Sequence, residues 1–183
     1  MEHSTHHHSP SLFARLARLV RNRMAEGSLH RVIPADVQKR LAERVHASEA
    51  RHTGQIRICV EGGLPLSYIW KSASARDRAV TQFGKLRVWD TEHNNGVLIY
   101  LLVAEHAIEI IADRGIARTV SPTVWHQMVE RMRTQFRQGK YEDGLTEALS
   151  IVTAALAEQY PASADGAAPR HPNELPDAPV VIR

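Results

Sequence analysis

The amino-acid pattern points to an α/β fold, a three-layer α/β/α sandwich around a small mixed sheet. Three features carry this reading. The apolar periodicities run helix, strand, helix, strand, strand, helix, helix. The stretch from Gly96 to Val103 is apolar without interruption, so it has no polar face and needs cover on both sides. After the short turn Glu105-His106, the run Ala107 to Asp113 pairs back as an antiparallel strand.

The first element is a short basic helix over Ser11 to Met24. Leu12, Phe13, Leu16, Leu19, Val20 and Met24 recur at helical spacing, with Arg15, Arg18, Arg21 and Arg23 mostly off that face. Such a helix either lies on a membrane surface or docks on its own domain with the arginines in water. Pro34 opens the next helix, suited to a first turn. Val37, Leu41 and Val45 form its apolar stripe, and Gly54 reads as its C-terminal glycine. Gln55 to Glu61 alternates polar and apolar residues and is a strand, broken by Gly62, Gly63 and Pro65.

Helical spacing returns over Ser72 to Leu86, with Ala75, Ala79, Phe83 and Leu86 in register. The strand–helix–strand unit is expected to be parallel and right-handed. Ser121-Pro122 starts a helix whose inward stripe is Trp125, Met128, Val129, Met132 and Phe136, stopped by Gly139. Tyr141 to Tyr160 is a long helix with Leu145, Leu149, Val152 and Leu156 inside, ended by Pro161. Helices on both faces of the sheet complete the sandwich.

The domain division follows: a basic extension over residues 1–30, an α/β domain over 31–161, and a disordered Pro/Ala-rich tail over 162–183. Hydrophobic content of 43% and charged content of 23% are those of an ordinary globular chain. A net charge of +3 is too weak to argue for nucleic acid, and with 5% aromatic residues no stacking platform is evident, so no nucleic-acid partner is expected. Arg131, Arg133, Arg137 and Lys140 add a basic stretch that reads as a solvated helix face. Cys59 is the single cysteine, which excludes an internal disulfide. The opening Met1-Glu2-His3-Ser4-Thr5-His6-His7-His8 has no signal-type apolar run, and no stretch reaches membrane-span length. A cytoplasmic location is the expectation.

Several short motifs, at this spacing, resemble the TPM domain family. They are Thr53-Gly54-Gln55-Ile56, Asn94-Asn95-Gly96-Val97-Leu98-Ile99, Ile108-Glu109-Ile110-Ile111-Ala112-Asp113-Arg114-Gly115-Ile116, and Phe136 through Gly139 with Tyr141, Gly144-Leu145 and Tyr160-Pro161. The resemblance covers roughly Val32 to Pro161. It implies a domain tied to membrane-associated assembly or repair, with acid phosphatase activity described for plant members and divalent-cation binding for some bacterial ones. Many relatives carry a signal peptide and an anchor, whereas this sequence shows neither pattern. The family's usual aspartate-containing opening before the first helix is also missing.

The residues themselves offer one cation candidate. In the loop Trp89 to Gly96, Asp90, Glu92 and Asn94 alternate, so their oxygens can face one point, and Asp113 should approach from the hairpin. Oxygen ligands of this kind suit Ca2+ or Mg2+. The loop is no EF-hand: counting from Asp90, Asn95 stands where that motif needs glycine and Leu101 where it needs glutamate. A second candidate lies at the carboxyl ends of the parallel strands, where Glu61, Gly62, Gly63, Glu105 and His106 gather and Glu61 with His106 would make an acid–base pair.

Phosphatase chemistry finds little support in the pattern. Six places after Cys59 stands Pro65, where a cysteine phosphatase needs arginine, and neither a phosphate-cradling loop nor a Gly-x-Ser-x-Gly elbow is present. The expectation is therefore a non-catalytic interaction or accessory domain that binds divalent cations and serves an unidentified protein partner, with a membrane protein as the candidate. The alternatives are a metal-dependent phosphatase and a peripheral membrane protein held through residues 11–24.

Overall fold

The structure is a computed structural model, and it describes residues 12–119, 130, 134–162 and 173–183. The helix expected from Ser121 lies mostly outside the described residues, as do its stripe residues Trp125, Met128, Val129 and Met132.

Helix α1 runs Leu12–Val32 and α2 runs Ala35–Glu49, with Pro34 at the N-cap of α2 and Val37, Leu41 and Val45 buried. Strand β1 spans Gln55–Glu61, as expected. A short helix α3, Leu66–Trp70, then precedes α4, Ala75–Lys85. Ser74 caps α4 in a reciprocal capping box with Asp77, which sets the helix start three residues beyond the expected Ser72. Strand β2 is Gly96–Leu102, followed by a single 3-10 turn, Val103–Glu105, and β3, Ala107–Ala112. Helix α5 is the single turn Arg114–Ala117, α6 is Tyr141–Gln159, and β4 is Val180–Ile182.

The sheet order is β3-β2-β1-β4. β1 and β2 are parallel, in register from Gln55 with Gly96 to Glu61 with Leu102, while β2 and β3 are antiparallel. Successive side chains of a strand point to opposite faces, and here both faces are covered. Ile56, Ile58, Val60, Val97, Ile99 and Leu101 join one core with α2, α6 and the end of α1. Cys59, Leu98, Tyr100 and Leu102 join the other with α3 and α4. All seven residues of β2 are buried. The α/β sandwich holds.

Three expectations need correction. Gly54 does not end α2; the helix stops at Glu49 and its cap is Ala50 in right-handed geometry. The basic helix docks on the domain, but not with its arginines all in water: Arg18 is part of the contact, and Leu12, Phe13, Leu16, Val20 and Met24 are exposed. The tail over 162–183 is not wholly disordered: residues 173–183 lie along the sheet, and β4 pairs parallel with Cys59–Glu61 of β1. Composition argued otherwise because the segment has few apolar residues; Leu175 and the Val180–Ile182 strand seat it, and main-chain hydrogen bonds, which composition does not register, hold it along β1.

Candidate functional site

The acidic loop leads from α4 into β2. It is a built turn: the Thr91 hydroxyl accepts from the Asn95 N–H at 3.1 Å, and Asn94 is left-handed at φ +52°. Asp113 reaches it as expected, its N–H donating to the Gly96 carbonyl at 2.9 Å. The Asp113 Oδ1 caps α5 by accepting from the Arg114 N–H at 2.6 Å. Its Oδ2 and the Asn95 Nδ2 are buried without a hydrogen-bond partner. Gly115 closes the junction, since a Cβ there would lie 2.5 Å from the Asn94 carbonyl oxygen.

The other two residues turn outward. Asp90 is exposed, 3.9 Å from Arg87. Glu92 is exposed, and its N–H donates to the Glu174 carboxylate at 3.2 Å. The structure thus brings Asp113 to the end of the loop at Gly96 and leaves Asp90 and Glu92 at the surface. Among the described residues no group of three or more His, Cys, Asp or Glu side chains is placed to hold a metal ion.

At the carboxyl end of β1, Glu61 is 1% exposed. Arg78 from α4 clamps it, Nη2 to Oε1 at 2.6 Å and Nε to Oε2 at 2.9 Å, and the Tyr100 hydroxyl donates to Oε2 at 2.7 Å. Burial raises the Tyr100 hydroxyl well above its usual range. Glu61 is thereby committed to structure. His106, left-handed at φ +48°, turns instead to the Phe136 carbonyl at 3.2 Å and the Tyr141 hydroxyl at 3.1 Å. The two residues serve separate clusters and form no acid–base pair. Burial pushes the Cys59 thiol up to about 12, so it is no nucleophile.

Glu105 does something the sequence reading missed: it anchors α1. Arg18 donates to it through Nε at 2.6 Å and Nη2 at 3.2 Å, and to the Ala73 carbonyl at 2.8 Å. Asn22, 1% exposed, accepts from the Leu64 N–H at 2.7 Å. The backbones touch at Gly63, where a Cβ would lie 2.5 Å from the Asn22 carbonyl oxygen. Helix α1 therefore docks by its polar side together with Leu19, Leu29 and Val32. Its apolar side is left to line an open groove of about 860 Å3 with Val103, Ala104, His106 and Tyr141. An arginine and an asparagine four residues apart were the available signal, since i and i+4 share one face.

Comparison with known proteins shows what the chain is similar to. A family model described as the TPM domain matches residues 29–155. The NMR structure of BA42 protein from the psychrophilic bacteria Bizionia argentinensis sp. nov. superposes with a TM-score of 0.68 at 28% identity, covering 81% of this chain and 94% of that one. None of the curated proteins matches the chain.

Proposed function

This chain belongs to the TPM domain family, and on that footing we propose that it is an interaction domain that rests on an anionic membrane surface through α1. One observation carries the reading. Leu12, Phe13, Leu16, Val20 and Met24 are 52–84% exposed on a helix whose opposite side is fastened to the domain. At 3.6 residues per turn, Phe13, Leu16, Val20 and Met24 fall within an arc of about 80°. Arg21 and Arg23 stand at its two borders, and both are exposed. An apolar stripe edged by arginines suits the boundary between lipid head groups and acyl chains. No described helix is long and apolar enough to cross a membrane, so the contact would be made at the surface.

Flotation with vesicles of phosphatidylglycerol and phosphatidylcholine tests this. Phe13→Asp with Met24→Asp should lower the bound fraction at least fivefold, and salt should lower it further. Equal recovery of both proteins with anionic vesicles would overturn the reading.

Divalent-cation binding is a second reading, supported by the buried and unpartnered Oδ2 of Asp113. Asp113, with the carbonyl-rich turn at Asn94, would supply the oxygen ligands. Calorimetric titration with Ca2+ and Mg2+ should then show binding that Asp113→Asn abolishes. A flat trace to millimolar ion would remove it.

A further inference from the structure

Residues 173–182 lie on the outer edge of β1 in a way that depends little on their own side chains. The Gln55 Oε1 accepts both the Glu174 and the Leu175 N–H, each at 3.0 Å. Two residues along the strand, the Arg57 Nη1 donates to the Ala178 carbonyl at 2.9 Å and to the Pro176 carbonyl. β4 then adds to Cys59–Glu61, and the Gly62 N–H donates to the Ile182 carbonyl at 2.9 Å. Gln55 and Arg57 thus extend the ladder beyond β4, with side-chain groups standing in for a strand's own donors and acceptors.

Specificity enters at few points. Leu175 is 4% exposed and fills the core beside α4, with Val180 and Ile182 packed on the same layer and Val181 on the other. The remaining side-chain contacts are surface ones, such as His46 with Asp177 at 3.2 Å. A site that reads backbone by fixed polar groups and side chains by alternate apolar positions is the arrangement of strand addition.

We propose that the edge formed by Gln55, Arg57 and Cys59–Glu61 is a peptide-binding groove, filled in cis by residues 173–182. In trans it takes an extended segment of a partner protein with a leucine-like residue five positions before an apolar-x-apolar pair. The cis segment holds the groove closed to weak ligands and yields it to strong ones. This proposal is independent of the membrane contact, which lies on α1.

The test uses a fluorescent peptide of residues 173–183 and the full chain. A tethered competitor acts at an effective concentration on the order of millimolar, so the unaltered chain should bind the peptide weakly. Leu175→Asp with Val180→Asp, which loosens the cis segment, should tighten binding at least ~10-fold by anisotropy. Adding Arg57→Ala to that protein should weaken it again by a similar factor. If the double variant loses its native circular dichroism, Leu175→Ala is the milder release and is read in the same way. A folded variant that leaves the peptide unbound at millimolar concentration overturns the proposal, as does tightened binding that is indifferent to Arg57→Ala.

Discussion

His52 sits in a buried line of polar groups between α2 and α6. The Gly54 carbonyl can only accept, so the ring nitrogen Nδ1, 3.1 Å away, carries the proton. The Nε2 then accepts from the Ser48 hydroxyl at 2.9 Å, and Ser48 meets Thr153 at 2.6 Å. Burial pulls the His52 ring down to about 4. Its neighbour in sequence shifts the other way: burial pushes the Glu49 carboxyl up to about 7. With a depressed value, His52 contributes stability that is lost as pH falls from about 6.5 toward 4. With a raised value, Glu49 contributes stability that is lost as pH rises from about 4.5 to 7. The two slopes oppose each other between pH 4.5 and 6.5. Urea unfolding of the unaltered protein should be nearly flat across that window. Glu49→Gln should unmask a rise of roughly 2–3 kcal/mol with increasing pH. Parallel pH curves for the two proteins would contradict this. The Glu61–Arg78 clamp gives a simpler expectation. Arg78→Met should lower stability by roughly 3–5 kcal/mol, because it leaves a buried carboxylate unpaired, and Glu61→Leu added to it should restore most of the loss. The Glu61–Arg78 and Ser48–Thr153 pairings were not readable from the chain, because residues 17 and 105 apart in sequence meet only once the helices have packed.

For the elements, the sequence was most informative where periodicity and burial coincide. β1, α2 and α6 lie where alternation or helical spacing put them, and their apolar stripes are inside. α1 shows the limit of that inference. Apolar spacing predicts a helix there, yet it cannot say which side faces the domain, and here Arg18, Asn22 and Leu29 do. Urea unfolding separates the sides. Leu29→Ala should lower stability by about 2–5 kcal/mol, whereas Leu16→Ala should stay within about 0.5 kcal/mol. A larger loss for Leu16→Ala than for Leu29→Ala would mean that α1 is seated the other way round. α3 and β4 escaped notice for a different reason. At five and three residues they are too short for either periodicity to register. The candidate cation loop was half legible: hairpin geometry brings Asp113 to it, but the outward turn of Asp90 and Glu92 follows from local turn hydrogen bonding that residue spacing does not reveal.

Taken as one body, the protein is a sheet with two cores, and its legibility came from β2. A strand apolar on every residue has to be covered twice, which fixes three layers before any pairing is known. The family range of residues 29–155 encloses that arrangement. Of the two surfaces proposed for recognition, the apolar side of α1 lies outside that range, whereas the edge of β1 lies inside it and only its cis occupant, residues 173–182, lies outside. Cys59 stands near the middle of this body, 0% exposed, on a strand flanked by β2 on one side and β4 on the other. Its sulfur is shielded by the α4 layer and by Leu175 and Val180, and is held in the thiol form, so an aqueous disulfide reagent reaches it only when this cover lifts. The single cysteine is in effect an internal clock: the rate at which it is modified counts openings of the layer over β1, the release of residues 173–182 included, with no engineered probe needed.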